Sequence, residues 1–201
     1  MKILLKQSAA GLRVLLVLTV LLGVVYPLGV WVVGRIPGLQ ANAEGSVLTQ
    51  NGQAVGSSLI GIDPVAANPA ADPWFHNRPS ASSSEPLGPG DPSTSGASNK
   101  SAYNPDLIKL IQERKDTIAQ REGVTPDKVP ADAVTASASG LDPTISVAYA
   151  DLQIARVARV TGVPEDKVQQ LVADNTTGYG IGIPGVNVLK LNLAVQAVQH
   201  R

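Results

Sequence analysis

Leu12–Gly34 reads LRVLLVLTVLLGVVYPLGVWVVG, and how the rest of the chain is understood follows from it. Val14 to Val33 is twenty residues without a charge, fourteen of them Val or Leu. At about 1.5 Å of rise per residue, twenty helical residues span roughly 30 Å, the hydrocarbon thickness of a bilayer. Each central Val or Leu contributes about −0.3 to −0.6 kcal/mol to insertion, enough to outweigh Thr19, Gly23, Pro27 and Gly29. Pro27 removes one backbone donor, which a membrane helix tolerates with a kink or a local adjustment. Tyr26 and Trp31 lie toward the far end, where interfacial aromatic anchors belong.

The flanks set an expected orientation. Lys2, Lys6 and Arg13 precede the span, and Arg35 is the only cation between it and Arg78. The positive-inside rule then keeps the N-terminus cytoplasmic and carries the remainder across the plasma membrane. The expected organisation is a cytoplasmic start (1–11), a transmembrane helix (12–34) and one extracytoplasmic domain (35–201). A cleaved signal peptide is the rival, because Ala41-Asn42-Ala43 has the A-x-A form of a cleavage site. Signal h-regions are usually about 7 to 15 residues, so the length favours a retained anchor.

Composition narrows what the domain does. Acidic and basic residues balance at 16 each, which gives no electrostatic case for nucleic acid. Without a single Cys there are no disulfides, thiolate metal sites or Cys nucleophile. Two histidines, His76 and His200, are too few for a His-based metal cluster. With one Phe and only 3% aromatic residues, the core has to be aliphatic.

Along the chain, Ile36-Pro37-Gly38 ends the anchor helix. Ser46–Thr49, Asn51-Gly52 and Ala54-Val55 read as a β-hairpin with a tight turn, followed by Gly56–Gly61 passing into a further turn. Residues 62–102 lack periodicity, and from Pro79 to Asn99 fourteen of twenty-one residues are Pro, Gly or Ser. Composition alone makes this a flexible linker or a long surface loop. The mainly helical half, 103–201, opens at Asn104, an N-cap followed by Pro105 and Asp106, with Gly123 closing the helix. Ser146 caps a second helix that ends at Gly162, and Glu165–Ala173 forms a third, with Val168, Leu171 and Val172 inward. GVTPDKV (123–129) and GVPEDKV (162–168) share a turn device rather than a repeat architecture. VNVLKLNLAVQAV (186–198) alternates at first as a strand would, then becomes ambiguous. The expected class is α+β: a small sheet and about three helices behind one membrane helix.

Three motifs are set aside on context. TTGYG (176–180) is one letter from a potassium-channel filter, but a filter needs four converging pore loops. GIGIPG (180–185) satisfies G-x-G-x-x-G, yet a helix precedes it and a strand-like run follows, the reverse of a dinucleotide loop. His76 could serve a serine hydrolase, but no G-x-S-x-G elbow is present. Asp142 precedes Pro143 and reads first as a turn or helix cap.

Five stretches carry more than composition: GSSLIG (56–61), WFHNRPSA (74–81), SGASN (95–99), VPADAVTASASGLDPTIS (129–146) and VNVLKLNLAV (186–195). In order and spacing, and with the N-terminal anchor, the chain resembles the C subunit of the bacterial Kdp potassium-transporting ATPase over essentially its whole length. It departs from that pattern at Ala97, usually Gly, at Thr144, often His or Asn, and at Lys190, commonly Glu. The resemblance implies a non-catalytic accessory subunit without a cofactor, working beside a channel-like potassium-binding subunit and a P-type ATPase subunit in the lipid membrane. The family is credited with a chaperone-like increase in the ATP affinity of the catalytic subunit. An external domain fits linkage better than direct ATP contact, for which the Ser/Gly stretch Ser137–Gly140 is the weaker alternative. The resemblance also turns the Pro/Gly/Ser loop into an ordered surface. Candidate interface residues are Arg78, Pro79, Ser80, Ser95, Asn99, Ser139, Gly140, Asp142, Asn187 and Asn192. Of these, Arg78 is expected to tie the loop to carbonyls or a carboxylate through its five fixed donors. An anchored or secreted extracytoplasmic binding protein or hydrolase remains the alternative.

Overall fold

A computed structural model describes residues 1–178 and 182–199, so His200, the last two residues of TTGYG and the first two of GIGIPG lie outside the described residues. The chain divides into two units, Met1–Val47 and the remainder from Leu48.

The first unit is a single apolar rod. α1 (Lys2–Val20) passes through a π-turn (Leu21–Val25) into α2 (Tyr26–Val33), a continuous helix long and apolar enough to cross a membrane. Pro27 has no N–H to give the Gly23 carbonyl, and the wider π-turn just ahead of it takes up the misfit of the ring. Its Val and Leu side chains are exposed throughout, as a lipid-facing helix requires. At its far end the Arg35 guanidinium lies 5.0 Å from the Trp31 ring centroid and pairs with Glu44, just past α3 (Gln40–Ala43).

The second unit opens with the hairpin β1 (Val47–Gln50) and β2 (Gln53–Ser57). Asn51 and Gly52 both take positive φ, 52° and 78°, as the tight turn between right-twisted strands requires. Beyond it, 62–102 holds no regular element except one 3-10 turn at Pro69–Ala71. α4 (Pro105–Glu122) then starts on Asn104, whose side chain accepts from the N–H of Asp106 and Leu107, and stops at Gly123 in the left-handed region. A 3-10 turn (Pro126–Lys128) and a one-turn α5 (Ala131–Val134) lead to β3 (Thr144–Ser146). α6 (Val147–Thr161) is capped by Ser146 and closed by Gly162, and α7 (Glu165–Asp174) buries Val168, Leu171 and Val172. β4 (Thr176–Thr177) and β5 (Gly185–Asn187) complete a three-stranded antiparallel sheet in the order β3-β5-β4, with Ile145 opposite Val186.

The chain's last described element departs from the sequence reading. Only Gly185–Asn187 of the alternating run is strand; Val188–Gln199 is α8. Its buried positions, Val188, Leu191, Asn192 and Val195, follow helical spacing. Asn192 occupies the middle of that stripe, and a polar residue there hides the helical period. The core gathers these residues with Phe75, Ile118, Ile145, Tyr149, Val157 and Val186. Phe75, the only Phe, is fully buried although it comes from the loop.

Candidate functional site

Burying loop residues is possible only if the loop's backbone polar groups find partners. Two side-chain amides supply them. Asn192 accepts from the Phe75 N–H at 2.8 Å and donates to the Phe75 carbonyl at 2.9 Å. Gln153 of α6 does the same for His76, accepting from its N–H at 2.8 Å and donating to its carbonyl at 3.3 Å. Residues 75 and 76 are thus held as a strand would be, by side chains of two helices instead of a neighbouring strand.

Charges continue the clamp beneath them. His76 Nδ1 lies 2.9 Å from Asp63 Oδ2 and Nε2 lies 2.6 Å from Asp72 Oδ2. Burial works against charge on this imidazole, but the hydrogen bonds and charge of Asp63, with Asp72, outweigh it and raise its pKa above 6.5. Burial raises the Asp72 pKa, yet His76, the Trp74 N–H and Arg156 together bring it below 3.8. Arg156 donates to the Asp72 carbonyl at 2.7 Å, to Gln153 Oε1 at 3.1 Å and to Glu122 Oε2 at 3.0 Å. The other Glu122 oxygen accepts from Arg121 at 2.7 Å, and Arg121 donates to the Tyr149 hydroxyl at 3.1 Å. Burial pushes Tyr149 up to about 12, so it stays a phenol. Arg121, Arg156 and the His76 imidazole face Asp63, Asp72 and Glu122. With both ring nitrogens on carboxylates, His76 has none left for a serine hydroxyl.

The second cluster joins the stretches that carry the sequence resemblance. The turn at 137–142 is closed by its own serines: Ser137 Oγ accepts from the N–H of Gly140 and Asp142, and Ser139 Oγ accepts from that of Leu141 and donates to Asp142. The hydroxyls of Ser137 and Ser139, weighed for direct nucleotide contact, both take part in closing this turn. Onto it docks the long loop. Ser137 N–H donates to the Pro79 carbonyl at 2.9 Å, while Ser95 Oγ and the Gly96 N–H donate to the Ser139 carbonyl at 3.1 and 2.8 Å. From GSSLIG, the Gly61 N–H reaches the Leu141 carbonyl at 2.8 Å, so closely that a Cβ on Gly61 would collide with the Asp142 carbonyl oxygen.

Arg78 locks the arrangement. It donates to Asp142 Oδ2 at 3.1 Å, twice to the Thr135 carbonyl at 3.3 Å, and to the Ala136 carbonyl at 3.5 Å. The cap reading of Asp142 is thereby corrected: α6 begins four residues later on Ser146, and the Asp142 carboxylate turns to Arg78 and Ser139 instead. Buried Ser80 bonds Ser82, and left-handed Gly140 (φ 75°) packs where a Cβ would meet the Gly96 carbonyl at 3.0 Å and Ser80 Oγ at 3.1 Å.

Seven of the ten sequence candidates, Arg78, Pro79, Ser80, Ser95, Ser139, Gly140 and Asp142, come together here. Three do not. Asn99 is exposed with φ 51°, Asn187 donates to the Ser58 carbonyl at 2.8 Å and caps α8 through Lys190, and Asn192 belongs to the Phe75 clamp. Sequence reasoning missed Asp63, Asp72, Gln153, Arg156 and Glu122. The four-residue spacing of Asp72 and His76 was the one available hint.

A family model, that of the c chain of the K+-transporting ATPase (KdpC), matches residues 8–197. The chain belongs to the KdpC family. Relatives agree over nearly the whole length. The potassium-transporting ATPase KdpC subunit of Kineococcus radiotolerans is 46% identical over 198 residues, covering 96% of this chain and 95% of its own. That of Streptomyces coelicolor is 45% identical, covering 92% and 90%, and that of Polaromonas naphthalenivorans 45%, covering 91% and 90%. The KdpC match takes in both the apolar helix and the interlocked loop.

Proposed function

We propose that this chain is a non-catalytic accessory subunit of an ATP-driven, high-affinity potassium uptake complex, needed for its assembly. The observation that carries the reading is the family match over residues 8–197, which spans anchor and domain alike. The anchor holds the N-terminus in the cytoplasm and the domain outside, as the cations Lys2, Lys6 and Arg13 favour. The loop surface held by Arg78 and the 137–142 turn docks on the channel-like, potassium-binding subunit, and the P-type subunit hydrolyses ATP. The chain raises the ATP affinity of that subunit by linkage, binding better to the pump conformation that holds ATP tightly.

Purification in mild detergent tests it. The channel-like and P-type subunits should travel with this chain; without it they should no longer co-purify, and any ATPase activity left should show a raised KM for ATP. A complex that assembles and keeps its KM without the chain would refute both roles.

A further inference from the structure

Arg114 differs from the other buried cations. It is 3% exposed, yet its partners are two carbonyls: Pro86 O, 2.8 Å from Nε, and Val134 O, 3.0 Å from Nη1. Arg121 and Arg156 share Glu122, and Arg78 has Asp142, but Arg114 forms no ion pair among the described residues. Its Nη2 has no acceptor among them either. Burial alone bears on its pKa, which is lowered. A nearly buried guanidinium without a counter-charge is unfavourable, and the two carbonyl bonds satisfy Nε and Nη1 without neutralising it, leaving Nη2 open.

Arg114 forms part of the wall of a cleft of about 490 Å³ between α4 and the loop. The hydroxyls of Ser84 and Ser98 line it and make no hydrogen bond to described residues. Lys100 lines it too, and its one ion pair is with exposed Asp106 at 3.3 Å. The one carboxylate in the lining, Glu85, is exposed and pairs with no cation. Two cations, free hydroxyls and a guanidinium edge lacking its acceptor match the way proteins hold oxyanions. The volume falls in the range of ligand sites and leaves room for whatever carries the charged group.

We propose that this cleft is an oxyanion site: a carboxylate or phosphate group enters between Ser84, Ser98 and Lys100 and pairs with the free edge of Arg114. The source is a small phosphate compound or an acidic side chain of a partner, and the inference stands apart from the potassium-transport reading.

The test measures the thermal unfolding midpoint of the full chain in mild detergent at fixed ionic strength, exchanging chloride for inorganic phosphate or for acetate. A rise of several degrees that grows with the logarithm of concentration is expected for at least one of them (about 10-fold ligand excess over Kd suffices). A response to phosphate alone assigns a phosphate compound, and a response to acetate assigns a carboxylate. No rise beyond chloride with either overturns the proposal. Arg114→Gln should lose the response. Because that variant also loses the loop clamp, Ser84→Glu supplies an independent check. Its carboxylate should occupy the site from within, raising the midpoint in chloride above that of Ser84→Gln and abolishing the response. A Ser84→Glu protein no more stable than Ser84→Gln, with the response intact, overturns the proposal whether or not Arg114→Gln folds.

Discussion

Arg78 and Asp142 meet at 3.1 Å across sixty-four residues, and the same guanidinium reaches the carbonyls of Thr135 and Ala136. One side chain therefore fixes the loop's middle to the turn that precedes α6. Arg78→Ala should cost about 1–2 kcal/mol in urea unfolding, a figure kept small because the pair is partly solvated. Helical content and membrane insertion should persist, while co-purification of the complex and high-affinity potassium uptake are lost. Arg78→Lys should restore little, since an ammonium cannot span a carboxylate and two carbonyls. Wild-type uptake by Arg78→Ala would rule out a docking role for the loop.

Asn192 is the more severe site. Truncation to Ala leaves the Phe75 N–H and carbonyl buried without partners, and about 2–4 kcal/mol of stability should go with them. Asn192→Asp keeps the acceptor and loses the donor, so it should fall between. If Asn192→Ala unfolds at the wild-type urea midpoint, the clamp contributes nothing.

His76 sets a pH dependence with a definite sign. Its pKa is raised above 6.5 in the folded protein, so its contribution is complete below pH 6.5 and is lost as pH rises through the folded value. The Asp72 pKa is lowered, so its contribution is present above pH 3.8 and is lost as pH falls through the folded value. Urea midpoints measured from about pH 5 to 9 should decline on the alkaline side, and His76→Gln should flatten that decline. Equal alkaline slopes in the two proteins would show that His76 is not charged in the fold.

Protease added to intact spheroplasts should digest the domain beyond the apolar helix and leave the short N-terminal segment protected, as the cation asymmetry predicts. Full protection of the domain would reverse the topology and bring it to the side where ATP is found.

Local chemistry was legible in the sequence and long-range pairing was not. Asn104 with Gly123, and Ser146 with Gly162, mark the ends of α4 and α6 because capping acts within one helical turn. Asn51-Gly52 gave the hairpin for the same reason. Arg78 was legible as a tie seeking carbonyls or a carboxylate, but Asp142 as its partner was not, since nothing local links residues 78 and 142. α8 was obscured because Asn192 interrupts its apolar stripe, and that asparagine is there for a backbone more than a hundred residues away. The buried charges of Asp63, Asp72, Glu122 and Arg156 look like ordinary surface residues until the fold brings them together.

The Phe75–Asn192 clamp also orders events in time. The ribosome makes residue 75 long before residue 192, and nothing earlier in the chain supplies those two hydrogen bonds. The only phenylalanine therefore has no finished berth until α8 has been synthesised and delivered. A domain whose centre waits for α8 cannot finish its core until that helix has been made, and a ribosome that stops short of it releases a product with Phe75 still open to water.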